Sequence, residues 1–338
     1  MQRLSNVLMA AVTGGAVILG SAAVNAQAPS FFRIASGSAG GTYYPMAGLI
    51  ANAISNPPGS RPCDEGGSCG VPGLVAVAQS ANGSVANVNS IQSGAVESGF
   101  AQSDVTYWAY TGTGLFEGRE PLTGLRFIAN LYPEHIHVYT RGDSEIETLE
   151  ELRGNTVNIG LPASGAKVGA TLILEAAGMI ENEDYEAAYL NTQQATEQLQ
   201  DGQIDAALTV TGYPSAGIAQ LASVAGLKLI PIPDAVQEAV IEQAPFYYSA
   251  EIPAGAYEGV DYSTSTVAVG AQWLVGEQVD ADLVYGITQA MWNDNTRKLL
   301  DNGHAKGASI QPSSALVGRG IPLHPGAERF YREAGMID

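Results

Sequence analysis

The amino-acid sequence predicts an α/β protein of two lobes with a ligand cleft between them. Short apolar runs typical of strands alternate with helical patterns along most of the 338 residues. One such series covers residues 31–102, and a second begins near residue 156. In each series a strand leads through a glycine- and serine-rich turn into a helix. Two series in succession fit two lobes better than one long sheet.

The lobes are not expected to be contiguous in the chain. We assign residues 27–132 and 240–338 to the first lobe and residues 133–239 to the second. Within the strand-rich segment at residues 126–140, the chain is expected to pass from one lobe to the other near residues 132–139, and to return near residues 231–253.

The first 26 residues read as a signal peptide. Arg3 supplies the positive start, residues 7–20 form an uncharged apolar stretch, and Val24, Asn25 and Ala26 end it with small side chains. A membrane anchor is the competing interpretation, but threonine and glycine interrupt the apolar run. We therefore expect cleavage after Ala26, export to the periplasm, and no direct membrane insertion of the mature chain.

Charge excludes several classes of partner. The chain holds 34 acidic and 15 basic side chains, a formal net charge of −19. Nucleic acids and anionic membrane surfaces attract basic proteins, so neither is an expected partner. The acidic residues are scattered, which is typical of a solvated surface that keeps a protein soluble.

The two cysteines, Cys63 and Cys69, lie in a loop rich in proline and glycine. In an oxidising compartment such a pair is expected to form a small disulfide. A metal site is the alternative, but no histidine lies near this loop. His135 and His137 share one face of a predicted strand, a geometry compatible with metal binding. However, no carboxylate or third histidine lies at a sequence spacing typical of a metal site. We expect no metal and no cofactor, and read one of these histidines as a hydrogen-bonding residue of the cleft.

The junction at residues 31–54 joins a strand to a helix through the turn that contains Gly41 and Thr42. Such a turn directs free backbone N–H groups and the positive end of a helix dipole at one point, which suits an anion. Tyr43 and Tyr44 add hydroxyl groups there. An ordinary strand-to-helix turn that binds nothing is the alternative.

Polar residues follow other predicted strands in the same way. Gln102 and Asp104 follow the strand at 97–102, and Ser164 begins a helix after the strand at 156–160, while Tyr213 follows the strand at 204–211. In an open α/β sheet ligands bind at the carboxyl ends of strands, so these residues are expected to meet at one cleft.

Enzyme motifs are incomplete in this chain. Ser164 and Lys167 satisfy the S-x-x-K pattern of serine acylases, but Ser103 and Asp104 stand in the wrong order and no K-T-G follows. The turn at residues 37–42 lacks the lysine of a phosphate-binding loop and the spacing of a dinucleotide fingerprint. We expect no catalysis.

Five ordered blocks resemble one known family. They are GGTYYP at 40–45, SANGSVANVNSIQSG at 80–94, QSDVTYWAY at 102–110, LYPEHIHV at 131–138 and IPLHPGAERFYREAG at 321–335. With these blocks the chain resembles the TAXI proteins, the extracytoplasmic solute receptors of one branch of the TRAP transporters, which include bacterial immunogenic proteins. The resemblance extends over nearly the whole mature chain.

This resemblance implies a two-lobed, type II periplasmic-binding-protein fold that closes over a small carboxylate and delivers it to the membrane subunits of a sodium-driven transporter. Glutamate, glutamine or 2-oxoglutarate are the implied ligands, and Asp104 would suit the ammonium group of an amino acid. Ala166 stands where the family commonly has threonine. An ABC-importer receptor and an exported α/β hydrolase are the alternatives. The residues implied as ligand contacts are Thr42, Tyr43, Tyr44, Ser84, Asn87, Gln102, Asp104, His137, Ser164 and Gly165.

For several of these residues a structural role is the alternative. Ser84 and Asn87 could cap or pack the second helix, and Asp104 could cap the third. Of Tyr43 and Tyr44, one is expected to face the solute and the other to pack.

Overall fold

A computed structural model describes residues 29–338. The predicted signal peptide lies outside the described residues. Within residues 29–338, no helix is both long and apolar enough to cross a membrane.

The first series of strands and helices follows the predicted order. Its elements are β1 (Ser30–Ala35), α1 (Tyr43–Ile54), β2 (Ser55–Asn56), β3 (Val71–Pro72), β4 (Leu74–Gln79), α2 (Ser84–Gln92), β5 (Ser98–Gln102) and α3 (Ser103–Thr111). β1 pairs in parallel with β4 on one side and with β5 on the other. The loop between β2 and β3 contains Cys63 and Cys69, which form the predicted disulfide.

A long strand, β6 (Leu125–Arg141), leads into the second series. That series contains β7 (Thr156–Asn158), α4 (Gly165–Ala176), β8 (Glu186–Ala188), α5 (Thr192–Gln200), β9 (Ala206–Thr211), α6 (Ala216–Ala225), β10 (Leu227–Leu229), α7 (Asp234–Gln243) and β11 (Tyr248–Ile252). β7 pairs in parallel with β8 and β9. A second long strand, β12, and three helices complete the chain: β12 (Thr264–Gly276), α8 (Ala281–Met291), α9 (Asp294–Gly303) and α10 (Pro325–Glu333).

The main sheet runs in the order β4-β1-β5-β12-β6-β9-β7-β8. Its two parallel groups are joined by β12 and β6, which pair antiparallel with each other. β6 continues without a break through Pro133. Pro133 lies beside an irregularity in the pairing with β12 and outside the segment that pairs with β9, which begins at His135. Proline is tolerated at such positions because the regular ladder is already broken there.

Separate hydrophobic cores lie at the two ends of β6. Phe127 and Leu131 pack in the first core, whereas Ile136 and Val138 pack in the second. A smaller cluster on the other face of the second series contains Tyr139 of β6. These cores correspond to the two predicted lobes.

Packing in the second core continues beyond residue 240. Val240 and Ala244, at the end of α7, are buried in the second core. β12 carries the chain back, since its Val267 belongs to the second core and its Trp273 to the first. Apolar packing, which sets lobe membership, is spread along β12 and gave no boundary signal in the sequence. The division into lobes, with this later return, remains our proposal.

Asn87 holds three pieces of the first lobe together. Its buried side-chain amide donates hydrogen bonds to the carbonyl oxygens of Ala35 (3.3 Å), Ser36 (2.8 Å) and Phe100 (2.8 Å). These carbonyls belong to β1, the turn after it and β5. These contacts therefore support a structural role for Asn87 over a role in ligand binding.

We expect Asn87→Ala to lower the free energy of unfolding by about 1–3 kcal/mol, because it leaves buried carbonyl groups without a donor. Urea unfolding followed by circular dichroism measures the change. Asn302→Ala is the matched control, since the exposed Asn302 donates only to the Lys298 carbonyl one turn earlier in α9. An equal effect of both substitutions would contradict this role.

Candidate functional site

A cavity of about 200 Å³ lies between the two lobes. Its lining from the first lobe and from β6 consists of Gly37, Ser38, Gly41, Thr42, Tyr43, Ser80, Ala81, Asn82, Gly83, Ser84, Gln102 and Glu134. Its lining from the second lobe consists of Gly160, Leu161, Ser164, Gly165, Ala166, Leu190, Asn191, Thr192, Thr209, Val210 and Thr211. The carboxyl-end loops of strands from both lobes therefore meet at one place.

The structure brings seven of the predicted site residues to this cavity and places five elsewhere. Those that line it are Gly41, Thr42, Tyr43, Ser84, Gln102, Ser164 and Gly165. Those that do not are Tyr44, Asn87, Asp104, His137 and Tyr213. Of the tyrosine pair, Tyr43 lines the cavity, while Tyr44 is 39% exposed on the surface of α1.

Three helices begin at the cavity wall: α1 at Tyr43, α2 at Ser84 and α4 at Gly165. The first N–H groups of a helix have no acceptor within it, and they carry the positive end of the helix dipole. In α4 the Ser164 hydroxyl caps the amide of Lys167 at 3.0 Å. The two amides before it, of Gly165 and Ala166, remain at the wall without an intrahelical acceptor. Such a wall favours an anion over a cation.

Direct hydrogen bonds join the lobes around the cavity. The Thr42 hydroxyl lies 2.7 Å from the Thr211 hydroxyl and donates to the Gly212 carbonyl at 2.9 Å. The Ala86 amide donates to the Ala163 carbonyl at 3.0 Å. The lobes are therefore in a closed arrangement, and the Thr42 hydroxyl serves that closure.

A chain of buried hydrogen bonds runs behind the first-lobe wall. Gln102 lies at the centre of this chain. Its backbone N–H donates to the Ser84 hydroxyl at 3.1 Å, and its side-chain N–H donates to the Tyr247 hydroxyl at 3.3 Å. Ser84 leads on to the Tyr43 hydroxyl, 3.4 Å away. Gln102 and Ser84 therefore hold the cavity wall in place.

Each end of this chain is a buried carboxyl group. Tyr43 donates to Glu134 Oε2 at 2.7 Å, and Tyr247 donates to Asp104 Oδ2 at 2.9 Å. The other oxygen of Asp104 accepts the Val105 amide at 2.7 Å. Asp104 thus serves α3 and this network, and it does not reach the cavity as the ammonium role would require. Burial raises the pKa of Asp104 to about 6.

Glu134 is one of the lining residues that the sequence did not predict, and among the described residues it is the only carboxyl residue of the lining. It lies on β6 between the two cores, lines the cavity and is 2% exposed. Burial raises its pKa to about 8. Within residues 29–338, no lysine or arginine lines the cavity. The signal available in the sequence was the only acidic residue of the crossing strand.

The histidines occupy the opposite face of β6. The Nδ1 atom of His137 lies 3.0 Å from the carbonyl oxygen of His135, and its Nε2 atom lies 2.9 Å from the hydroxyl oxygen of Tyr257. The His135 ring packs on Tyr213 with centroids 4.7 Å apart. Burial lowers the pKa of His135 to about 3 and that of His137 to about 4, so both are neutral. These histidines pack behind β6 and do not line the cavity.

Lys306 lies beside this aromatic face, in the 3-10 helix Ala305–Ser309. Its ammonium group is 3.4 Å from the centroid of the Tyr213 ring, a cation–π contact between residues of the two predicted lobes. Burial lowers the pKa of Lys306 to about 8. Tyr213 therefore contributes to closing the lobes, not to the cavity lining.

The serine and lysine of the S-x-x-K pattern point to different partners. The Ser164 hydroxyl donates to the Leu161 carbonyl at 2.7 Å. Lys167 forms an ion pair with Glu181 at 2.7 Å. Neither side chain is arranged to activate the other. Among residues 29–338 no group of three or more metal-ligating side chains is placed to hold a metal ion.

Solved structures similar to this chain include the following three. A structure described as a periplasmic transporter has a TM-score of 0.50 and 14% identity, covering 90% of this chain and 93% of its own. The alkanesulfonate-binding protein SsuA from Xanthomonas axonopodis pv. citri, bound to MOPS, has a TM-score of 0.47 and 14% identity, covering 90% and 84%. A putative L-cystine ABC transporter from Listeria monocytogenes has the same score and identity, covering 83% and 98%.

The fold is that of the two-lobed, type II periplasmic binding proteins, as predicted. A family model matches residues 34–335, almost the whole described chain. The protein belongs to the NMT1-like family.

We expect Gly165→Ala to loosen the contact between the lobes. An added Cβ would overlap Gln102 Oε1 and lie 2.6 Å from Ser84 Oγ, and both side chains are held in the buried network. Overpacking of this kind costs about 1–3 kcal/mol, which corresponds to roughly 5- to 150-fold in the equilibrium between closed and open lobes. Hydrogen exchange of the Ala86 amide, which bonds across the lobes, reports the change.

Gly48→Ala is the matched control, because a Cβ at this helical position of α1 meets no atom within 4 Å. It should leave exchange of the Ala86 amide unaltered. Unchanged exchange in Gly165→Ala as well would show that the close approach of Gly165 does not govern closure.

Proposed function

We propose that the protein is the extracytoplasmic solute receptor of a TAXI-type TRAP transporter, and that it captures a small carboxylate such as glutamate, glutamine or 2-oxoglutarate. The observation that carries the proposal is the cavity between the lobes, with three helix N-termini in its wall and no basic side chain lining it among the described residues. Backbone N–H groups of this kind bind carboxylates without a counter-charge.

The size of the cavity supports a small solute. Its 200 Å³ lies below the roughly 300–1,000 Å³ of pockets that hold drug-sized ligands. Hydroxyl and amide groups of Ser84, Gln102, Asn191 and Thr192 add neutral hydrogen-bonding partners around the wall. An amino acid or a short dicarboxylate fits both the size and this lining.

Capture without chemistry is the proposed mode of action. A carboxylate enters the open cleft, meets the N–H groups of one lobe, and is enclosed when the second lobe adds those of Gly165 and Ala166. Thr42, Thr211 and Gly212 then hold the lobes together. Since the Ser164 and Lys167 side chains are engaged elsewhere, the solute leaves unchanged.

We expect at least one member of a panel of amino acids and dicarboxylates to raise the melting temperature by several degrees. Ligand at 100 times its Kd stabilises the folded state by about 2.7 kcal/mol. Differential scanning fluorimetry of the mature protein measures the shift, and mass spectrometry of the recovered solute shows whether it was altered. A panel without any shift would contradict capture of a carboxylate, and a modified solute would favour the exported hydrolase.

The choice of transporter has its own test. Proteoliposomes containing the membrane subunits encoded beside this gene should take up the bound solute when a sodium gradient is imposed and the receptor is present. Uptake that needs ATP and ignores sodium would identify an ABC-importer receptor, leaving solute capture intact.

A further inference from the structure

Glu134 is a buried carboxyl group at the cavity whose role the capture mechanism above leaves open. The residue is 2% exposed, and its Oε2 accepts the Tyr43 hydroxyl at 2.7 Å. Within residues 29–338 its Oε1 has no hydrogen-bond partner or ion pair and is not fully buried, and the residue lines the cavity. One oxygen is therefore anchored to the first lobe, and the other is available to a bound molecule.

The surroundings of Glu134 decide whether this carboxyl group carries a proton. The titratable groups that face it are Tyr43 of α1, Tyr132 of its own strand, Asp104 of α3, Tyr247, and Lys306 of the helix at 305–309. The Asp104 carboxyl group opposes ionisation of Glu134. The hydrogen bond from Tyr43 and the charge of Lys306 favour ionisation, but Lys306 forms no ion pair with Glu134 within 4 Å, and burial outweighs both.

We infer that Glu134 is a specificity-determining residue that holds its proton and donates a hydrogen bond from its cavity-facing oxygen to a carboxylate of the bound solute. This inference rests on the proposed function. An ionised Glu134 would instead repel a carboxylate, in a cavity with no lining lysine or arginine to offset the charge. With Glu134 protonated, the cavity wall presents hydrogen-bond donors from three helix N-termini and from one carboxyl group.

A dependence of affinity on pH follows from this role. The free protein holds the Glu134 proton below its pKa of about 8, so affinity is complete there and is lost as pH rises through that value. Between about pH 7 and about pH 9 the affinity should fall roughly tenfold, because only the protonated form binds. In the same range, solute binding should draw a proton from the buffer.

Isothermal titration calorimetry with L-glutamate and with 2-oxoglutarate tests the inference. Titrations at several pH values give the fall in affinity, and repetition in two buffers of different ionisation enthalpy counts the protons taken up. We expect the fall and the proton uptake with the solute that binds. Glu134→Gln, which keeps the shape and cannot ionise, should lose both.

Lys306→Met separates Glu134 from the other group that titrates near the same pH. Removing this positive charge should move the midpoint of the fall to higher pH, because Lys306 favours the ionised form of Glu134. If Lys306 itself were responsible, the dependence would vanish in Lys306→Met and persist in Glu134→Gln.

The remaining outcomes are equally decisive. Affinity that is flat or rises with pH, with no proton uptake, overturns the inference and leaves solute capture standing. A rise seen with L-glutamate would assign to Glu134 an ionised carboxylate that pairs with the solute ammonium group. No binding of either solute at any pH, together with no shift across the panel, overturns the proposed function and this inference together.

Discussion

The antiparallel pairing of β6 with β12 is the constraint on which the rest of the structure depends. The paired segment extends from Leu125 opposite Gly276 to His135 opposite Ala268, and it joins the two parallel groups of strands in one sheet. Both strands begin in one core and end in the other. The register shifts between Ala271 and Gln272 and between Trp273 and Leu274 fall where β12 packs in the first core, and an irregular ladder there can change the twist of the strands. The pair therefore links the two cores within one sheet.

The same crossing explains the burial and the chemistry of the polar residues on β6. Successive side chains of a strand point to opposite faces. Glu134 lies on the face of Ile136 and Val138 and lines the cavity where the first core ends. His135 and His137 lie on the other face, against Tyr213 and Tyr257. One strand thus supplies a cavity group on one side and an aromatic support for closure on the other.

Local patterns in the sequence were sufficient for the strand-to-helix junctions. The turn before Tyr43 and the cap at Ser164 depend on glycine, serine and helix-starting residues that are neighbours in the chain, and both lie at the cavity as predicted.

Orientation was harder to predict, because a polar residue after a strand can face the cleft or the structure behind it. Asn87 and Asp104 face inward, since strand ends and Tyr247 from distant parts of the chain supply their partners. The alternation of side chains along β6 places His137 and Glu134 on opposite faces of the strand, but it does not predict which face lines the cavity. That choice depends on the packing of both lobes, which no local pattern contains.

Charge poses the remaining physical question, since a chain with a net charge of −19 is proposed to capture an anion. Exposed charges act weakly beyond a Debye length of about 8–10 Å in physiological salt, so the overall charge opposes the approach of an anion only mildly. Inside the cavity, the nearby groups determine how strongly an anion is bound.

N–H groups are held in place by the helices that contain them, so little free energy is needed to orient them. A buried lysine or arginine would instead need its own partner when the cavity is empty. A carboxyl group that keeps its proton meets the same requirement: it can donate a hydrogen bond to the anion and leaves no unpaired charge behind when the solute departs. Such a lining suits a receptor that must both bind its solute and release it.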